Sequence, residues 1–463
     1  MPTLPARYGR WVPILIPLAL ITLFLHLNAG FGDTTQVVLE PASFGTVNET
    51  EATSTISTSA TAAPPAEKAS TCHPLPGIDD ILVVIKTGIT EAQHKLPVHI
   101  RTTLRCIPNK LIVSDFEEEI DGLRTLDVFR NVSQTLYSNN DFALYNRARQ
   151  GGRAALTDED HTKVANSASG MSDNPGWKLD KWKFLPMIQE ARAHRPDAKW
   201  YVFLEADTYP IWPNLLAWLE NYDSKEKLYL GNQMMIGDTT FAHGGSGFVI
   251  SNAAMHAVAD FYTKHAEEWN QITDREWAGD CVLGMALAKA GIGLTWSWPH
   301  VTTQSVWEQD ALGEGFGTPQ WCFPPFTFHH MTPADVEEMW KFDQEWFSND
   351  NRTFLTYGDI FRNFVRPMLT SVSDDWDNNA PDGDNHAAYL GPSTPASMYE
   401  CAEHCARSSE CMQYRVDEHG RCTTSGWALR GLPKPGIMSG TMLWRVDAAI
   451  KQRGKCRKPK FVT

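Results

Sequence analysis

Basic residues are the scarce class in this chain. Over 463 residues there are 41 Lys and Arg against 55 Asp and Glu, a formal net charge of -14. Gripping a phosphate backbone needs a basic face, so nucleic acid is excluded as a partner class. Several catalytic signatures are missing as well. There is no His-Glu-x-x-His and no Cys-x-x-Cys pair with zinc-finger spacing, so the ligand sets of a zinc hydrolase and a zinc finger are absent. The glycines of "HGGSG" (243–247) come just before a strand rather than a helix and carry no Lys-Ser/Thr, so they do not form a phosphate loop. An acidic chain of this kind is compatible with a sugar or peptide substrate, and with a metal ion bridging to an anionic one.

What is present supports a large core. The chain is 42% hydrophobic with 17 Trp, and its length allows two or three domains. Residues 11–27, "WVPILIPLALITLFLHL", follow Arg7 and Arg10, and no acidic residue occurs before Asp33. A run of roughly 17–20 apolar residues can cross a bilayer, and basic residues on its short side favour a cytoplasmic N-terminus. The expectation is a tail at 1–10 and a signal anchor at 11–30, with a cleaved signal peptide as the alternative. The Ser/Thr/Ala/Pro tract within 31–71 cannot bury enough surface to offset its chain entropy and is expected to be a disordered stem. Sequons at Asn48, Asn131 and Asn351 agree with a lumenal side. Four of the nine cysteines, Cys401, Cys405, Cys411 and Cys422, cluster in a polar segment that suits disulfides. Nine is odd, so at least one thiol is unpaired or pairs outside the chain.

From about Cys72 strands and helices alternate. Residues 79–88, 109–116, 200–207 and 227–233 read as strands, and 91–106, 180–194, 213–222, 251–269 and 279–291 as helices. Residues 150–176 read as a loop, and the acidic stretch 371–395 as a linker to a cysteine-rich unit at 396–463. Such alternation implies an α/β fold with a mostly parallel sheet. In an open sheet of this kind ligands sit beyond the carboxyl ends of the strands. Glu205 and Asp207 stand at such an end in "KWYVFLEADTYPIWPN" (199–214). They can hold a hard divalent cation, or they can be an acidic cap on a turn.

The segment "FLEADTY" resembles the Asp-x-Asp motif of metal-dependent glycosyltransferases of the Fringe and core-1 β1,3-galactosyltransferase branch of glycosyltransferase family 31. "GWKLDKWKFLPM" (176–187), "FAHGGSGFVIS" (241–251), "WAGDCVLGMALAKAGI" (277–292) and "TFHHM" (327–331) are similar to other elements of that family, in unbroken order over 79–345. The middle position is Ala206, where animal members have Asp, and fungal members carry this same Glu-Ala-Asp form. The resemblance implies a GT-A-type domain over 72–370 that takes a UDP-sugar and Mn²⁺ or another divalent cation, with a glycan or glycoprotein acceptor. It implies Asp207 and His329 as metal ligands, and Glu205, Asp207, Lys181, Gly244 and Gly245 around the donor. Adjacent strand residues face opposite ways, so His329 and His330 are not both expected to point inward. Asp280, at the start of a helix, is implied as the base of an inverting reaction, its carboxyl lowered by the helix N-terminus. An ordinary N-cap is the other reading of Asp280. The tail resembles a PAN/apple module, which implies Cys401–Cys422 and Cys405–Cys411 pairs and a binding or structural role. With tail, anchor and stem, this is the layout of a single-pass Golgi enzyme with a lumenal catalytic domain. Secretion is the alternative location, and homodimer formation is left open.

Overall fold

The computed structural model describes residues 72–161, 174–349, 351–379, 388–389 and 396–462. The expected tail, membrane span, stem and Asn48 lie outside these residues. Among the described residues no helix is long and apolar enough to cross a membrane.

An eight-stranded sheet is built from β1 (Ile81–Lys86), β2 (Lys110–Ser114), β3 (Glu119–Ile120), β4 (Leu123–Asp127), β5 (Trp200–Glu205), β6 (Tyr229–Gly231), β7 (Phe248–Ser251) and β8 (Leu294–Trp296). Their order across the sheet is β8-β6-β7-β5-β1-β2-β4-β3. β7 runs antiparallel to β5 and β6, and β3 to β4; the other pairings are parallel. The expected α/β class with a mostly parallel sheet is therefore what the chain adopts.

Both faces of the sheet are covered, which explains why β1 and β5 read as continuous apolar runs. Side chains alternate between faces with a period of two. Leu82, Val84, Tyr201 and Phe203 pack into one core, beneath helices that include α2 (Phe184–His194), α4 (Asn252–Lys264) and α5 (Gly279–Lys289). Ile81, Val83, Ile85, Val202 and Leu204 pack into the other, against α1 (Ala92–Arg101) and α3 (Trp212–Leu219). Each such side chain contributes about 1.5–3 kcal/mol on burial. Pro97 sits inside α1 without ending it. The expected loop over 150–176 is helical where described: Ala143–Gly151 runs into a short turn, and Asp158–His161 follows.

A third core lies beyond the sheet and joins the C-terminal region to the rest. Trp307, Trp321, Phe328, Phe361 and Phe364 share it with Ala428 and Val446, the latter on a helix at Leu443–Arg453. The 371–395 stretch is not free chain where it is described. Val372–Ser373 pairs with Met438–Thr441, Trp376–Asp377 with Leu432–Pro433, and Ala388–Tyr389 with Cys422–Ser425. Disulfides join Cys401 to Cys422 and Cys405 to Cys411, as the resemblance implied. Cys72–Cys106 and Cys322–Cys456 are the other two, and Cys281 is the odd thiol, buried and free.

The Cys322–Cys456 bond spans 134 residues and ties the C-terminal region to the third core. Cross-links of long span are worth about 2–5 kcal/mol. Cys456→Ser is expected to lower the thermal midpoint of the soluble chain by several degrees under non-reducing conditions, and an unchanged midpoint would show that the bond anchors nothing.

Candidate functional site

The site forms where β1 and β5 end side by side. Their register puts Lys86 opposite Glu205, the last residue of each strand. After β1 the chain leaves toward β2, and after β5 toward the opposite edge, so a crevice opens between them at the topological switch point. Lys86 Nζ bridges Glu205 at 3.1 Å and Asp180 at 2.5 Å. The first turn after β5 is fixed from below. His99 bonds the Ala206 carbonyl at 2.9 Å, and the Ala206 side chain belongs to an apolar core. The departure at position 206 thus falls on a buried structural position, not on a charge missing from the crevice.

Asp207 is brought to its partners by a two-rung ladder. Tyr209–Pro210 pairs antiparallel with Thr327–Phe328. The strand then ends, the Met331 amide bonds the Asp207 carbonyl at 2.9 Å, and His330 adopts a left-handed φ of 57°. That turn overturns the expectation of opposed histidines. The rings of His329 and His330 lie 3.8 Å apart by centroid, and both share a ligating cluster with Asp207, all three offering an atom within 4.8 Å of the others. His329 Nε2 faces Asp207 Oδ1 at 3.4 Å, and Lys95 Nζ faces Oδ2 at 3.1 Å.

Electrostatics mark this group out. Burial pushes the Asp207 carboxyl up, but His329 and Lys95 outweigh it and hold the carboxyl well below its ordinary range. Burial pulls the His329 imidazole down, but the Asp207 charge outweighs that and raises it. His330 falls to about 4, through burial and then the neighbouring His329. Asp207 Oδ1 and Nδ1 of both His329 and His330 are buried with no hydrogen-bond partner. Orphaned buried polar atoms are costly, and one oxygen with two imidazoles is a donor set suited to a first-row divalent ion. The residues therefore fit a metal, whose binding would require both imidazoles to be neutral.

The glycine loop closes the site. Gly244 N donates to Asp280 Oδ2 at 2.9 Å, and Thr208 Oγ1 donates to the Gly245 carbonyl at 2.6 Å. A Cβ on Gly245 would run into the His329 imidazole, and one on Gly244 would lie 2.9 Å from the Phe184 ring. Asp280 sits in the first turn of α5, its other oxygen bonded by the Cys281 amide at 2.9 Å. Its carboxyl is raised to about 6, not lowered. Burial is the largest influence and exceeds the two backbone N–H bonds, with the Glu205 charge adding to the rise.

Lys181 stands apart from this cluster. Its ammonium is bound by Asp141 at 2.9 Å and by the carbonyls of Asp274 and Glu276. The lysines of the crevice are Lys86, Lys95 and Lys183, the last on Asp115 at 2.9 Å and the Thr87 carbonyl at 2.8 Å. Lys86 was findable in the sequence, because it ends an apolar strand as Glu205 does. Lys95 carried only the weaker signal of an i, i+4 pair with Glu91. In all, the carboxylates of Glu91, Asp115, Asp180, Glu205, Asp207 and Asp280 meet three ammonium groups, an acidic excess that a divalent cation would offset.

Residues 77–300 match the family model described as Fringe-like, a family of glycosyltransferases. The match ends before Thr327, so the two histidines rest on their geometry.

Gly245→Ala should displace His329 and weaken Mn²⁺ binding at least tenfold by titration calorimetry while the far-ultraviolet spectrum stays native. Undiminished binding would remove His329 from the ligand set.

Proposed function

We propose that the chain is a metal-dependent, inverting glycosyltransferase. It would move a hexose from a UDP-sugar, UDP-galactose or UDP-N-acetylglucosamine, to a glycan or glycoprotein acceptor in a β1,3 linkage. One observation carries the reading. Within a Fringe-like domain, adjacent residues of one loop serve two groups: Gly244 bonds Asp280, and Gly245 lies against His329 of the Asp207 cluster. A base and a cation-binding group thus flank a single peptide unit.

Asp207, His329 and His330 would hold a divalent cation such as Mn²⁺, which would supply positive charge against the negative charge developing on the diphosphate leaving group. The protein's own part is to hold the Asp280 carboxylate by the Gly244 and Cys281 amides, with no ion pair to it among the described residues. The acceptor oxygen bonds to the anomeric carbon as Asp280 takes its proton. The bond from that carbon to the phosphate oxygen breaks, and its electron pair leaves with UDP. A single displacement inverts the centre, giving a β-linkage from an α-linked donor. Glu205, neutralised by Lys86, is assigned to the donor ribose or to water around the cation. The same reading puts the chain in the Golgi membrane, anchored through 11–30 with the catalytic domain in the lumen. Asn131 and Asn351, both exposed, should then carry glycans that glycosidase treatment removes with a visible change in mobility.

Asp280→Asn keeps the helix start and loses the base. Transfer is expected to fall by roughly 10²–10⁴, with UDP and Mn²⁺ binding unchanged. In the unaltered protein the ionised form exists above the Asp280 pKa of about 6 and is lost as pH falls through it. The rate should therefore drop tenfold per pH unit below about 6. An active Asp280→Asn enzyme, or a retained α-linkage, would overturn the mechanism. Mn²⁺ and UDP binding without any turnover would favour a relative that binds glycans but does not transfer them.

A further inference from the structure

A cavity of about 630 Å³ opens beside His330 and His243, next to the Asp207 cluster. Its volume falls in the range of about 300–1,000 Å³ usual for small-ligand sites. Part of its wall comes from the C-terminal region: Asn379, Trp427 and Leu429 line it together with loops that follow β8. We propose that this region completes the acceptor subsite, with Trp427 as a stacking wall, and that the occupant is an uncharged oligosaccharide. The inference rests on the glycosyltransferase reading for its reaction but has its own binding test.

The lining chemistry selects the occupant. Among the described residues it includes no Lys or Arg, but it does include the carboxylates of Glu308, Asp310 and Glu314. An anionic nucleotide would meet repulsion here, whereas the crevice at Lys86 and Lys95 offers cations. Sugars are bound by aromatic faces against their C–H surfaces and by amides and carboxylates on their hydroxyls. Trp427 and Trp298 supply rings, and Gln304, Gln309 and Gln320 supply amides. Trp298 is stacked on Trp296 and lies edge-on to Phe316, which is 78% exposed. Exposed aromatic surface continues from the cavity to solvent, as a chain longer than one sugar needs.

The wall is also held in place. Asn379 Nδ2 donates to Glu308 Oε1 at 3.1 Å, and Gln309 Nε2 to Gln320 Oε1 at 2.6 Å. Arg430, three residues after Trp427, lies 4.1 Å over the Trp307 ring and 5.1 Å over that of Trp376. A stacking wall so braced costs little ordering on binding.

The test uses the full chain. Binding of neutral oligosaccharides of two to four hexoses, their monosaccharides, and a basic peptide is measured by tryptophan fluorescence and calorimetry. UDP with Mn²⁺ is measured in parallel. Expected are oligosaccharide binding stronger than monosaccharide binding, a loss of at least tenfold in Trp427→Ala, substantial retention in Trp427→Phe, and unchanged UDP binding in both. If Trp427→Ala loses its cooperative melt, Trp427→Gln replaces it. Equal oligosaccharide affinity in the Ala or Gln variant overturns the proposal, as does preference for the peptide. UDP binding with no oligosaccharide binding overturns the subsite alone. Oligosaccharide binding lost on removal of Trp427, in a protein that never binds UDP, supports the subsite and defeats the transferase reading.

Discussion

The crevice depends on the parallel register of β1 with β5. That pairing stops with Lys86 beside Glu205, two opposite charges at the ends of strands otherwise buried on both faces. A buried charge is tolerated only when paired, so the ends of the strands and the charges that occupy them are set together. From Glu205 the chain needs one turn to present Asp207, and the core position of Ala206 allows that turn to be packed rather than solvated. The ladder from Tyr209 to Phe328 then fixes where the histidines fall. A one-residue slip there would turn His329 away from Asp207.

Two carboxyls at similar depth are driven apart by their neighbours. Asp207 meets a histidine and a lysine and stays ionised to low pH. Asp280 meets backbone N–H groups and the Glu205 charge, and burial raises it to about 6. The contribution of a helix N-terminus is typically about 0.3–1 kcal/mol, whereas each tenfold change in acidity takes about 1.36 kcal/mol, so the dipole is too weak to reverse desolvation here. Separated titrations of this kind are consistent with the proposed division, in which Asp207 would hold a cation and Asp280 would take up and release a proton.

The sequence made the sheet legible because strands buried on both faces are unbroken apolar runs with sharp ends. The position of Asp207 just beyond a strand end was legible from the residues alone, whereas Asp280 was singled out through the resemblance. The sequence misled at His330, where alternation was applied past the end of the strand; a positive φ is uncommon outside glycine, and the enrichment of histidine there is too weak a signal to mark the turn. Lys181 was placed near the donor only through the resemblance, and its ammonium is held by Asp141 and by the end of the neighbouring helix at Ala266–Arg275. Two-residue strands such as Val372–Ser373 sit within an acidic, turn-rich stretch, and only their distant partners make them strands.

Those distant partners change what the C-terminal region is. Trp321 donates to the Gly454 carbonyl, Trp218 to the Val462 carbonyl, and the Val462 amide to His300. Trp218 and His300 lie among the side chains that support the sheet and the loops after it. The last residues of the chain therefore complete hydrogen bonds inside the domain that carries the crevice. Removing them would leave buried indole and imidazole groups unpaired, at about 1–3 kcal/mol each, besides exposing the third core. A region that only tethered the chain to another molecule would not need such contacts. One that helps to wall the neighbouring cavity, as proposed, has to be held rigid against it, and the packing, the bond to Cys322 and the Arg430 stack would do so.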